Sequence, residues 1–302
     1  MSSLQTPLRW GFMGTGRIAY IVARDFGIAG LKIQAVGSRN IDTAQELGEE
    51  FGIDDVHGSY EALVANPNVD IVYISTLNHV HADNALLAIN AGKHVLLEKP
   101  FTMDADEARE LQAAAKAKGV FLMEAMWTRF LPSMDAIMKA IDDGLIGTPN
   151  HIIADHSQYL PAEVSERMWK LEHGGGALLD LGIYPISFAA RILGIPDEVV
   201  ATGRIAFEGV DEAVSIILNY DDGAQASLTT SMTVAGPVTA VVMGEKGTIE
   251  VDRTFYAQTT FTVYDNDRNV LLRYDKAPAE GTGRQFQAIE VERCVKAGLL
   301  ES

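Results

Sequence analysis

A two-domain α/β protein is predicted for this 302-residue chain: a doubly wound parallel sheet over residues 1–125, then an α/β domain with a large open, mostly antiparallel sheet over residues 126–302. Three observations predict it. Between Leu8 and Ala125, short β-rich runs alternate with helical ones, which is the pattern of βαβ units. From Glu198 to Tyr274, strands follow one another across short Gly- and Asp-containing turns, which is the pattern of antiparallel neighbours. The length, with 47% apolar and 22% charged residues, suits two cores rather than one.

In the first half the strands are "RWGFM", "KIQAVGS", "VDIVYIST", "HVLLEK" and "VFLMEA", and the helices between them are "RIAYIVARDFG", "IDTAQELGEEFG", "HADNALLAINAG" and "DADEARELQAAAKAKG". Gly92 and Gly119 follow helical runs and suit left-handed C-caps. Asp104 is placed to cap the last of these helices, with Glu107 three residues on as a capping-box partner. The second half opens with "LPSMDAIMKAIDDG" as a helix, and "GALLDLGIYPISFAARILG" is a helix able to cover one face of the following sheet. Some of that sheet's strands are apolar on both faces, so a second subunit is expected to cover the other.

"WGFMGTGRIA" sets Gly14, Gly16 and Ala19 as G-x-G-x-x-A between the first strand and the first helix. Glycines there permit a tight turn and close approach of a pyrophosphate to the helix N-terminus, whose free N–H groups and dipole favour an anion. The spacing alone is a weak signal, and its place after the first strand strengthens it. Gly14, Thr15, Gly16, Arg17 and Ile18 are therefore candidate cofactor contacts in a dinucleotide-binding Rossmann domain. The second strand ends in Ser38 and Arg39, where an NAD-binding domain usually carries an acidic residue for the ribose 2′-hydroxyl. An arginine instead suits a 2′-phosphate, so NADP is expected in preference to NAD.

Composition narrows the remaining classes. A net charge of −17 argues against nucleic acid or an anionic membrane as a partner. Cys294, the one cysteine, cannot form an internal disulfide, which suits a reducing compartment and a cytoplasmic protein. "MSSLQTPLRW" has no signal-peptide pattern, and no apolar run is expected to approach the length needed to span a bilayer. His79 and His81 lack nearby acidic or cysteine partners, so no metal site is expected.

"GFMGTGRIA", "YISTLNHVHADNALLAINAGKHVLLEKPF", "EAMWTRFLP" and "GGGALLDLGIYP" together resemble the Gfo/Idh/MocA family of NAD(P)-dependent oxidoreductases over nearly the whole chain. Within it they are most similar to the dimeric dihydrodiol dehydrogenase and NADP-dependent D-xylose dehydrogenase branch. The resemblance implies homodimers or homotetramers formed through the C-terminal sheet, and a lysine, here Lys99, in contact with nicotinamide and substrate. It implies His81 near the nicotinamide, and a further helix and tail beyond "KAGLLES". Tyr184 stands where many members have histidine, which counts against an inositol-type mechanism with a histidine base.

Oxidising an alcohol by hydride transfer requires a group to take the hydroxyl proton. Lys99 ends a parallel strand, at the edge where open α/β sheets bind ligands, and a desolvated ammonium beside a cationic ring should have a lowered pKa. Asp180 and Tyr184, four apart, share a helix face, and Pro185 removes the amide that would bond the carbonyl of residue 181, so a kink is expected. Either Lys99 or Tyr184 can be the immediate proton partner, with Asp180 holding a second hydroxyl or orienting Lys99. Thr76, Asn78, His81, Glu98, Trp127 and Arg129 are further candidate cofactor contacts, with His156, Gln158 and Trp169 as pocket-lining candidates. The expected function is hydride transfer between NADP(H) and an alcohol or carbonyl carbon of a sugar or cyclic diol. The alternatives are an NAD-dependent inositol-like polyol dehydrogenase and a non-catalytic dinucleotide sensor.

Overall fold

The computed structural model describes residues 7–276 and 279–302. The chain forms two compact units, Met1–Trp127 with Glu280–Ser302, and Thr128–Ala279.

The first unit runs β1 (Trp10–Met13), α1 (Arg17–Ile28), β2 (Ile33–Gly37), α2 (Ile41–Phe51), β3 (Asp55–His57), α3 (Tyr60–Ala65), β4 (Ile71–Ile74), α4 (His81–Asn90), β5 (His94–Glu98), α5 (Ala105–Lys118) and β6 (Leu122–Ala125). The six strands are all parallel, in the order β3-β2-β1-β4-β5-β6. Central strands sandwiched between helices are apolar throughout, and all four residues of β1 and of β4 are buried. One apolar cluster joins Val72, Ile74, Val95 and Leu97 to Ala85, Ile89 and Leu111. Trp10, Phe12, Phe26 and Tyr73 form a second, with ring centroids 4.9 to 5.2 Å apart. Caps follow the local chemistry. Asp104 accepts from the N–H groups of Asp106 and Glu107, while Glu107 reaches back to the N–H of Met103. The positive φ of Gly92 and Gly119 (76° and 67°) ends α4 and α5.

The second unit comprises α6 (Pro132–Asp142), β7 (Pro149–Ser157), a π-helical stretch Leu178–Gly182 leading into α7 (Ile183–Leu193), then β8 (Glu198–Ile205), β9 (Asp211–Asn219), β10 (Gln225–Ser231), β11 (Ala240–Gly244), β12 (Gly247–Val251), β13 (Phe261–Asp265) and β14 (Val270–Tyr274). Its sheet has eight strands in the order β14-β13-β12-β11-β7-β10-β9-β8. Every pairing is antiparallel except β7 with β10. β7 lies near the centre of the sheet, although its sequence stands apart from the strand-rich stretch that announces the rest. Along β7, Ile152, Ala154 and His156 are buried and Ile153 is exposed, the alternation of a strand covered on one face; α7 packs against β7 on the covered side.

Two expectations need correction. Residues 280–302 belong with the first unit, because α8 (Gln285–Lys296) packs on α1. The buried Asp25 of α1 accepts hydrogen bonds from the N–H and hydroxyl of Thr282 and the N–H of Arg284. The carboxylate of Glu292 accepts from Leu8 N–H and, at 3.5 Å, from the Trp10 indole. The helical run Leu171–Leu193 is also long and apolar enough to cross a membrane by length and composition. Half of it is buried within its unit, where the π-helical stretch and α7 pack against β7 and β10.

Candidate functional site

Candidate residues gather at one place in each unit. In the first unit the loop after β1 bends at Gly14 (φ +102°), whose N–H donates to Gly37 O at 2.9 Å. A Cβ at Gly14 would lie 3.1 Å from the Ser75 carbonyl oxygen, so the turn requires glycine. A Cβ at Gly16 would meet nothing within 4 Å. No side chain caps α1, and its first turn, with Arg17 and Ile18, holds no acidic residue. Open space facing an uncapped helix N-terminus fits a dinucleotide pyrophosphate.

Beside this loop, the hydroxyl of Thr15 lies 2.9 Å from that of Thr43 and 3.3 Å from that of Ser38, and Ser38 and Thr43 are 3.1 Å apart. Asn40 caps α2 by accepting from Asp42 N–H. Arg39 is exposed. Burial pushes the Tyr60 phenol up, and Arg39, hydrogen-bonded to it, works in the opposite direction. Tyr60 and Thr43 were not among the sequence candidates, since nothing local ties either to the glycine loop.

At the ends of β4 and β5 the structure braces the backbone around Lys99. Glu98 is buried; one carboxylate oxygen accepts from the Tyr73 hydroxyl at 2.7 Å and the other from Lys99 N–H at 3.1 Å. Burial raises the Glu98 carboxyl, against the pull of the Tyr73 bond and the charges of Lys99 and Arg284. Burial also holds the Tyr73 phenol well up, which keeps it a donor. His81, also buried, places Nδ1 2.8 Å from Pro100 O and Nε2 3.1 Å from Thr76 O. Burial lowers its pKa against these backbone bonds. The Lys99–Pro100 peptide is cis, and Phe101 N–H donates to Glu124 at 3.0 Å. Glu98 and His81 thus sit in an internal bracing network. Asn84 donates to the Thr76 hydroxyl, Asn78 is buried, and the buried Trp127 ring lies under the Arg284 guanidinium at 4.1 Å.

In the second unit, Asp180 lies in the π-helical stretch and Tyr184 in the first turn of α7, both buried. Arg167 donates to Asp180 at 3.0 Å. The Tyr184 ring meets the His156 ring edge-on at 5.0 Å and the Tyr256 ring at 4.8 Å, while His156 stacks on Tyr256 at 4.1 Å. Gln158 Nε2 lies 2.7 Å from His156 Nε2 and donates to the Tyr256 hydroxyl at 3.2 Å. Trp169 is tied to Leu160 O at 2.8 Å, and Arg129 is exposed. Tyr256 and Arg167 were missed because neither shares a motif with the residues it touches. Among the described residues, no group of three or more His, Cys, Asp or Glu is placed to hold a metal ion.

A glycine-turned, uncapped helix N-terminus on a six-stranded parallel sheet, with a braced lysine at the sheet's carboxyl edge, defines a nicotinamide-dinucleotide oxidoreductase. Residues 8–126 match the oxidoreductase family with an NAD-binding Rossmann fold, and residues 134–250 match the GFO/IDH/MocA C-terminal domain. The chain belongs to the GFO/IDH/MocA family of NAD(P)-dependent dehydrogenases and reductases. It is 36% identical to trans-1,2-dihydrobenzene-1,2-diol dehydrogenase of Mus musculus, over 98% of this chain and 90% of that one. Among solved structures it is similar to KijD10, a 3-ketoreductase from Actinomadura kijaniata in complex with NADP and TDP-benzene (28% identity, TM-score 0.84, 97% of this chain and 91% of that one). It is also similar to an aldose-aldose oxidoreductase from Caulobacter crescentus complexed with glycerol (25% identity, TM-score 0.88, 97% and 91%).

Proposed function

We propose that the protein transfers hydride between NADP(H) and an alcohol or carbonyl carbon of a sugar or cyclic diol. In this reading the first unit holds the dinucleotide, and the second binds substrate and carries the subunit contact. The observation that carries the reading is the threefold bracing of Lys99, by Glu98 on its own N–H, His81 on Pro100 O and Glu124 on Phe101 N–H. So much scaffolding around one lysine at a carboxyl strand end suits a group that must meet a reacting atom.

When bound, the nicotinamide supplies or accepts the hydride. Gly14, Thr15, Gly16, Arg17 and Ile18 hold the pyrophosphate. Arg39 and Ser38 favour a 2′-phosphate, since neither position carries a carboxylate to repel it; the NADP complex of the KijD10 relative supports the preference. Lys99 and Tyr184 are the two candidates to move the substrate's proton, and Asp180, oriented by Arg167, binds a second hydroxyl. The dihydrodiol and aldose names of the relatives support a polyhydroxylated or cyclic substrate. The outer face of the eight-stranded sheet sets Ile153, Ser227, Ile217 and Val200 in register across four strands. Ile153, Ile217 and Val200 are exposed large apolar residues, which suits a homodimer or homotetramer built on that face. The cytoplasm suits the lone cysteine.

The test follows absorbance of reduced nicotinamide with a panel of aldoses, cyclic diols and dicarbonyls. Lys99→Met and Tyr184→Phe should each lower kcat by about 10²-fold or more while cofactor binding persists. Full activity in either variant removes that residue from the chemistry, and tight NADP binding without turnover on the panel favours a sensor.

A further inference from the structure

A proline in the first turn of α7 creates a defect that another strand repairs. In an α-helix the amide of residue 185 would donate to the carbonyl of residue 181, but Pro185 has no N–H. The carbonyl of Leu181 is instead met by His156 Nδ1 at 3.0 Å, from β7. A carbonyl can only accept, so Nδ1 carries the proton. Nε2 of a neutral ring is then an acceptor, and Gln158 Nε2 stands 2.7 Å away to donate to it. His156 is 1% exposed, and its ring is clamped between this amide, the Tyr256 face and the Tyr184 edge. Its own carbonyl accepts from the Thr230 hydroxyl at 3.0 Å, which ties the strand at that point to β10.

We infer that His156 is a positioning residue for Tyr184: it replaces the helical hydrogen bond that Pro185 removes and fixes the turn and ring from which the Tyr184 hydroxyl is presented. Gln158 and Tyr256 hold the imidazole in the tautomer this requires. The inference rests on the reading that Tyr184 takes part in the reaction, and it assigns His156 a role behind the tyrosine rather than one of lining the pocket. It also accounts for an aromatic residue that can donate at position 156, since phenylalanine would keep the ring contacts and lose the bond.

The experiment is a double-mutant cycle between His156→Phe and Pro185→Ala. In the Pro185 background His156→Phe should lower kcat by about tenfold or more, with KM for NADPH little changed. In the Pro185→Ala background the amide of residue 185 can serve the Leu181 carbonyl, and the same change should cost less than about threefold. An equal loss in both backgrounds, or no loss with Pro185 present, overturns the inference. Nitrogen-15 NMR of histidine-labelled wild-type protein gives a check that survives poor folding of a variant. One imidazole should be held as the Nδ1–H tautomer, and an Nε2–H tautomer or a charged ring at this residue would also overturn it. Should Tyr184→Phe keep full activity, the catalytic reading falls, while the NMR tautomer and the coupling of the two substitutions in urea denaturation still decide the His156–Pro185 relation.

Discussion

Asp25→Ala should release the C-terminal helix from the first unit, and the effect can be sized from its hydrogen bonds. Asp25 is 1% exposed on α1. It accepts from Thr282 N–H at 2.9 Å, the Thr282 hydroxyl at 2.6 Å and Arg284 N–H at 2.8 Å. Removing the carboxylate leaves three donors without their partner, at about 1–3 kcal/mol each, and water entering the space returns part of that. A net loss of about 3–5 kcal/mol follows, which raises the opening equilibrium of this segment by about 10²- to 4 × 10³-fold. Cys294 reports the opening, because it lies on α8 at 0% exposure and is the one cysteine of the chain. Burial pushes its thiol pKa up, which further slows reaction in the closed state. Under conditions of fast reclosing, the labelling rate with an aromatic disulfide reagent follows the opening equilibrium. The variant should label about a hundredfold faster than wild type, with a small urea dependence that marks local rather than global opening. A labelling rate within about threefold of wild type would refute the anchoring role of Asp25.

Two further outcomes follow from the first unit. Arg39→Ala should raise the Kd for NADP by about tenfold or more and leave the Kd for NAD nearly unchanged, by calorimetric titration; equal shifts would remove Arg39 from cofactor selection. Burial raises the Glu98 carboxyl in the folded state, so its protonated form contributes stability that is complete below the unfolded value of about 4.3 and is lost as pH rises through the folded value. Glu98→Gln cannot ionise. Its urea midpoint should therefore lack that decline over the interval above pH ~4.3, and identical pH slopes in the two proteins would show that Glu98 does not titrate there.

What was legible in the sequence is what is local. The G-x-G-x-x-A turn, the Asp104 cap and the glycine C-caps each depend on residues within a few positions, and each is found where its pattern predicts. The strands of the second sheet between residues 198 and 274 announce themselves by alternation and turns, whereas β7 does not, because its neighbours β10 and β11 come from much later in the chain. The return of α8 to the first unit depends on an aspartate 257 positions from the threonine it holds. Asp25 reads locally as an ordinary polar residue of an amphipathic helix. The π-helical stretch ahead of α7 is likewise invisible to a 3.6-residue period.

The two candidate proton-transfer residues share a construction. Lys99 precedes Pro100 and Tyr184 precedes Pro185, and a proline next in the chain takes an amide donor away from the backbone just where a side chain must be held still. In each unit a buried histidine from another element meets a backbone carbonyl nearby, His81 that of Pro100 and His156 that of Leu181. Imidazole suits this task because one ring carries two nitrogens on opposite edges. His81 spans the Pro100 and Thr76 carbonyls, and His156 spans a carbonyl and the Gln158 amide. Burial lowers the His81 pKa, and a neutral ring has a single N–H that can donate to only one of its two carbonyls, so the nature of the second nitrogen's partner matters. At His156 that partner is a donor, which directs the N–H to Leu181. Two of the seven histidines thereby hold backbone beside a candidate proton-transfer residue.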